Sequence, residues 1–381
     1  MKNFKEIDIA QKLIRCKSVA PNADSALKVV EKESKLIGFK CTKLKFSEKG
    51  FDTINNLYAE IGDGKPHFSF AGHVDVVPAK KEEWAVDPFA GKIKNNFLIG
   101  RGAVDMKSAI ACFLSASKSY LEENKNFKGK ISLLISGDEE QWAKNGTIKI
   151  LKWLKKKKIK IDNCLVGEPT NLKVLGDQIK IGRRGGYNGT VTVFGKEGHS
   201  AWPNRTKNPV SALMKMLTNI DKKKVLDKGT KHFQPSIISI TSIDVGNEAL
   251  NVIPAKAKGS FNIRFNTNHT IKSLTKWIKK EFNKVGFRYK LDLYVSGNAF
   301  LTKPGKFSEL IKKCIKKITK KNSKYATDGG TSDARFIKDY TNVVEFGLVG
   351  KTMHTNNEKV SLKDLKNLTK IYKLILKEYF K

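Results

Sequence analysis

Apolar residues recur every three or four positions over about 4–17, 24–38, 106–124 and 146–158, the spacing that gives a helix one apolar stripe. Between these stretches lie short runs rich in strand-forming residues, near 54–60, 66–72, 130–136 and 161–166. The alternation predicts an α/β domain of stacked layers with a largely parallel sheet. After Gly182 the pattern changes. Strands are predicted near 187–195, 236–245, 255–266 and 287–295, with helical spacing only at about 208–220 and 270–284. Strands with so few crossovers predict an inserted α+β domain with an antiparallel sheet, covering 183–293. The α/β pattern then resumes and ends in an amphipathic helix at about 361–380, so 1–182 and 294–381 are read as two parts of one domain.

A length of 381 residues suits two domains, and 40% hydrophobic with 9% aromatic residues excludes a disordered chain. No apolar run reaches the roughly 18–20 residues of a membrane helix. The N-terminus mixes charges into an amphipathic pattern and lacks the apolar stretch of a signal peptide. Cys16, Cys41, Cys112, Cys164 and Cys314 are scattered without a CxxC pair, which predicts reduced thiols and a cytoplasmic protein. The net charge of +36 invites a nucleic-acid reading. Only eight of the 73 basic residues are Arg, however, and nucleic-acid sites favour Arg for forked and stacking contacts. The lysines are spread over nearly every polar stretch and read as solvated surface, whose field would attract small anions.

Candidate chemistry sits at the ends of the predicted strands. His73 closes an apolar strand in FSFAGHVDVVPA, with Asp75 two residues on and therefore on the same strand face. Asp105 follows two glycines in GRGAVDMKSA, just before a predicted helix, where an ordinary helix cap is the plainer alternative. Asp138, Glu139 and Glu140 crowd together after a buried-looking strand, an arrangement that suits either a solvated loop or bound cations. Glu168 in CLVGEPT and His354 in VGKTMHTNNE complete the set. Open α/β sheets place their sites at such strand ends. Two His and several carboxylates without sulfur suit zinc, with cobalt or manganese as substitutes. Two such ions sharing a carboxylate would make a hydrolytic centre.

The series GHVDVVPA, GRGAVDMKSA, SGDEE, GEPT, GKEGHSAWP and MHTNNE resembles the M20 family of di-zinc amidohydrolases and peptidases, along essentially the whole chain. The resemblance implies a zinc-peptidase-like α/β/α catalytic domain with an inserted lid domain that also forms a homodimer. It implies that Asp105 bridges two zinc ions, with His73 and Glu168 completing one site and Glu140 and His354 the other. Asp75 would support His73, Glu139 would be the general base, and His199 would stabilise the tetrahedral oxyanion. Further stretches, GRRGG at 182–186, SIDVGNEALNVIP, FNIRFN and GGTSDARFI, resemble the branch of the family that removes succinate from N-succinyl-L,L-2,6-diaminopimelate. That trianionic substrate would be held by Arg183, Arg184 and Arg264, by Asn251, and by Gly330 and Thr331 in a Gly-Gly turn. Gly186, Ser200, Trp202 and Thr355 depart from the branch's usual residues and bear on the acyl group. A sibling amide hydrolase, such as an acetylornithine deacetylase, aminoacylase or dipeptidase, is the nearest alternative. A nucleic-acid-binding protein with a relic metal site is the more distant one; the complete ligand set and Glu139 speak against it.

Overall fold

The structure, a computed structural model, describes residues 6–381. Two compact units form. The first holds the chain up to Ile181 with Thr302–Ala326 and Ser332–Lys381; the second holds Gly182–Leu301 with Thr327–Thr331.

The first unit is built on an eight-stranded sheet, in spatial order 40–46, 54–63, 129–136, 67–73, 163–166, 342–345, 178–180 and 324–326. The neighbours 129–136, 67–73, 163–166 and 342–345 are parallel. At one edge 40–46 and 54–63 add antiparallel, and 178–180 lies antiparallel beside 342–345. The sheet is therefore mixed, and parallel chiefly in its centre. The link between 40–46 and 54–63 is a short loop, too short for the crossover that a parallel pair requires. Strand Lys40–Phe46 was not legible in the sequence because only Leu44 of KCTKLKF is buried, and its lysines keep an edge strand in water.

Alternation along the strands sorts side chains to the two faces. Leu57 and Ala59 join the cluster around the central helix Lys107–Glu123, whereas Tyr58 between them meets Trp153 of helix Thr147–Lys156, ring centroids 5.3 Å apart. Helices thus cover both faces, the α/β/α arrangement expected. The central helix is buried almost all round: Phe113 stacks on Phe70 at 4.3 Å and meets Tyr372 of the final helix Leu362–Tyr379 edge-on at 5.8 Å.

The second unit carries a four-stranded antiparallel sheet, in order 237–244, 256–265, 185–194 and 289–297. Helices Pro209–Asp221 and Ile271–Asn283 contribute Leu213, Met216, Leu274 and Ile278 to a core with Val191, Phe261 and Ile263 from the sheet. The sequence supplies the caps: Asn208 accepts from the Val210 and Ser211 amides, and Thr270 with Ser273 makes a reciprocal box. Gly185 and Gly189 lie directly across from Phe265 and Phe261, where a Cβ would fall 2.1 and 2.2 Å from the rings. The unit runs to Leu301, past the 293 read from the sequence, because Phe300–Leu301 returns to pair with Gly182–Arg183. Among the described residues no helix is long and apolar enough to cross a membrane, and all five cysteines are free.

Candidate active site

The parallel strands of the first unit deliver acids and imidazoles to one edge of the sheet. His73 ends strand 67–73, Glu168 follows 163–166, Glu139 and Glu140 follow 129–136, and His354 follows 342–345 after a helical turn. Because these strands point the same way, their C-terminal ends share one side.

Asp105 arrives from the loop before the central helix. It is not a helix cap, since Met106 precedes the helix and no side chain caps it. Its Oδ1 lies 3.1 Å from His73 Nε2 and its Oδ2 3.3 Å from His354 Nε2. His73 Nε2 is also 3.6 Å from Glu168 Oε1, and His354 Nε2 is 2.9 Å from Glu140 Oε1. Two three-residue clusters, His73–Asp105–Glu168 and Asp105–Glu140–His354, therefore share one carboxylate, and within each the ligand atoms lie within 4.8 Å of one another. Nitrogen and carboxylate oxygen without sulfur, buried in the first cluster and more open at His354 in the second, fit a pair of divalent cations.

Asp75 has a second set of partners beside His73. His73 Nδ1 donates to the backbone carbonyl of Asp75 at 3.0 Å, while the Asp75 carboxylate stands farther off at 3.7 Å. Its Oδ2 accepts from the backbone amides of Glu139 and Glu140, each at 2.9 Å, and so fixes the acidic loop. The three adjacent acids also divide their work. The buried Asp138 carboxylate accepts from the amides of Ala143, Lys144 and Asn145 and closes its own loop. Glu140 faces His354. Glu139 is enclosed without a hydrogen-bond donor on its carboxylate among the described residues, and burial, with Asp333 and Glu140 nearby, pushes it up to about 8.

Sequence reasoning assigned no role to Glu358, which holds Asp105 in place. Fully buried, it accepts from Arg101 Nη1 at 2.7 Å and from the amides of Gly102, Val104 and Asp105 at 3.2, 2.7 and 3.2 Å. Arg101 in turn lies over the Trp84 ring at 5.2 Å. The scarcity of Arg was the one available signal. His67, read as structural, is that: its ring meets Lys160 O and Ser132 Oγ, each at 2.8 Å, and burial holds it below its ordinary value.

Within the second unit, Arg183 is buried and donates to Gly330 O at 3.1 Å, and Thr331 follows at the end of the same segment. Burial, and then the like charge of Arg184, lower the Arg264 guanidinium, a crowding that an anion would relieve. A Cβ at Gly186 would fall 2.2 Å from Ser296 Oγ and 3.1 Å from Arg264, so Ser296 occupies the space that a side chain there would take. His199 Nδ1 accepts from Ala201 N at 3.1 Å, and its Nε2 lies 3.5 Å from Asn251 Nδ2.

Before a cation binds, the site titrates as a cluster. Burial opposes charge on His73 and Asp105, but hydrogen bonds prevail: Asp105 raises the His73 imidazole, and His354 and then His73 lower the Asp105 carboxyl. Hydrogen bonds to Asp105 and Glu140 push His354 up to about 10. A cation binds only the neutral ring, so loading must expel that proton, and affinity rises with pH until about 10. We expect zinc affinity at the Asp105–Glu140–His354 cluster to rise about tenfold per unit between pH 6 and 9. Chelator competition across that range, with proton release measured in buffers of different ionisation heat, checks this; a pH-independent affinity contradicts it.

The sequence matches the model of peptidase family M20/M25/M40 over residues 69–378. It is 51% identical over 385 residues to a Pelagibacter ubique (strain HTCC1062) protein named succinyl-diaminopimelate desuccinylase, covering 100% of each chain. A protein of the same name from Parvibaculum lavamentivorans is 48% identical, covering 99% of this chain and 96% of that one. Among solved structures, an M20 family metallo-carboxypeptidase from Sulfolobus solfataricus superimposes with a TM-score of 0.80 at 20% identity, covering 100% and 99% of the two chains. A dinuclear metal-binding M20 peptidase from Bacillus subtilis gives 0.71 at 13% identity, covering 98% and 97%; these two likenesses are of fold. The chain belongs to peptidase family M20/M25/M40.

Proposed function

We propose that the protein hydrolyses the succinyl amide of N-succinyl-L,L-2,6-diaminopimelate, releasing succinate and L,L-2,6-diaminopimelate for lysine and cell-wall precursor synthesis. The observation that carries this reading is the 51% identity, along the whole of both chains, to a desuccinylase. The clusters sharing Asp105 give it a chemistry. His73 and Glu168 would hold one zinc ion, Glu140 and His354 the other, and Asp105 both; cobalt or manganese would substitute. Once bound, the ions polarise the amide carbonyl and acidify a water molecule. Glu139 takes a proton from the attacking water as its oxygen bonds to the carbonyl carbon. The C–N bond then breaks, and Glu139 returns that proton to the leaving nitrogen. Asp75 keeps Glu139 in register through its backbone amide.

The second unit, 182–301 with 327–331, is read as lid and dimerisation domain. Its edge strands expose Ile237, Ile243 and Tyr294, which supports a homodimer. There His199 would donate Nε2–H to the oxyanion, and Arg183, Arg184, Arg264, Asn251, Gly330 and Thr331 would hold the carboxylates.

The deciding experiment compares N-succinyl with N-acetyl diaminopimelate on zinc-loaded and chelated protein. We expect kcat/KM at least about 100-fold higher for the succinyl substrate, because a site built for a distal carboxylate is left unpaired by acetyl. Activity should vanish on chelation and return with zinc. Equal rates on the two amides would remove the acyl assignment and leave metal-dependent hydrolysis standing.

A further inference from the structure

Arg335 belongs to none of the ligand or substrate groups above. It lies on the one-turn helix Ala334–Ile337, its guanidinium over the Phe336 ring at 4.6 Å. That turn is pinned at its start: Thr147 Oγ1 donates to Asp333 Oδ2 at 2.6 Å, and Ser332 Oγ donates to Glu345 Oε1 at 3.0 Å. Both Asp333 and Glu345 are buried. The backbone that carries Arg335 is therefore fixed from two elements of the first unit. The guanidinium Nη1 lies 3.9 Å from Glu139 Oε1, both side chains about nine-tenths buried. Among the described residues this is the one ion pair of the Glu139 side chain.

The separation is informative. At 3.9 Å the charges attract, but no hydrogen bond forms, so both Glu139 oxygens stay free of donors. A group that must receive and return a proton needs free lone pairs and a fixed aim. Arg335 supplies the aim without occupying the lone pairs, and it offsets the repulsion between the buried Glu139 and Asp333 carboxylates. We propose that Arg335 is a positioning residue that holds the Glu139 carboxylate for proton transfer, with Asp333 and Thr147 fixing the turn that carries it.

This rests on the reading of Glu139 as base, and the test separates the two. In zinc-loaded protein, Arg335→Gln is expected to lower kcat about 30- to 100-fold with KM changed less than about threefold, and Arg335→Lys to recover most of that loss. Introduced into Glu139→Gln, Arg335→Gln should lower the residual rate less than about threefold, since the group it positions is already gone. Substrate binding to Glu139→Gln, measured by calorimetry, should be within about threefold of binding to the double variant. A tenfold or greater loss of binding in the double variant would make Arg335 a substrate anchor and overturn the proposal. So would a full, additive rate loss in the Glu139→Gln background, or wild-type kcat in Arg335→Gln. An active Glu139→Gln enzyme would instead sink the base assignment itself. Should Arg335→Gln fold poorly, Arg335→Met, which keeps the length of the side chain without its charge, carries the same rate and binding comparisons.

Discussion

Glu139→Gln is expected to lower kcat by about 1,000-fold, with the bound divalent cations retained and KM changed less than about threefold. The substitution keeps the size of the side chain and removes only its capacity to take a proton. The loop that carries it is held by the backbone bonds to Asp75 Oδ2, which the amide leaves intact. Metal analysis beside steady-state kinetics reads both quantities. The wild type should also show a rising limb with pH. Burial pushes the Glu139 carboxyl up to about 8, and the base form accumulates above that midpoint; bound cations favour the carboxylate and move the limb below 8. Retention of more than a tenth of the wild-type rate in the metal-replete variant would mean that another group moves the proton.

Glu358→Ala is the substitution expected to cost most in stability, about 3–5 kcal/mol, because it leaves a buried guanidinium and three backbone amides without their acceptor. The loss should be local at first. Val104 and Asp105 donate directly to Glu358, so hydrogen-exchange protection at these amides should fall well before the antiparallel sheet of the second unit is affected. Zinc affinity should fall with it, since the loop that carries Asp105 has lost its anchor. Glu358→Gln keeps an acceptor oxygen but not the charge, and is expected to lie between the two. Wild-type protection at Asp105 in the alanine variant would show that the loop is held by other contacts.

Much of this molecule could be read along the chain. Helix 107–123 and the strands 67–73 and 129–136 follow from local apolar spacing, which is set by residues three, four or two positions apart. The insert announced itself through strands without crossovers. The metal-ligand candidates were legible because His and acids are rare at the ends of apolar strands. What escaped was of another kind. Lys40–Phe46 has too few buried residues to show a period, and the antiparallel edge depends on loop length. The bond from the Glu139 amide to Asp75 Oδ2, 64 positions away, escaped as well.

Glu358 and Arg335 make the distinction sharpest. Both lie in stretches that carry the family resemblance, MHTNNE and GGTSDARFI, but nothing local gives their roles: one sits in a polar turn, the other beside a phenylalanine in a single helical turn. Their roles come from partners about 250 and 200 positions distant, Asp105 and Glu139. The sequence by itself determined most of the helices and strands before residue 293 and the chemical types available to the site, because these depend on near neighbours and composition. The tertiary structure alone decided which carboxylate is left without a donor and which serves as scaffold. Those outcomes depend on distances of 3–4 Å between distant segments, where burial strengthens each charge and leaves an unpaired one costly.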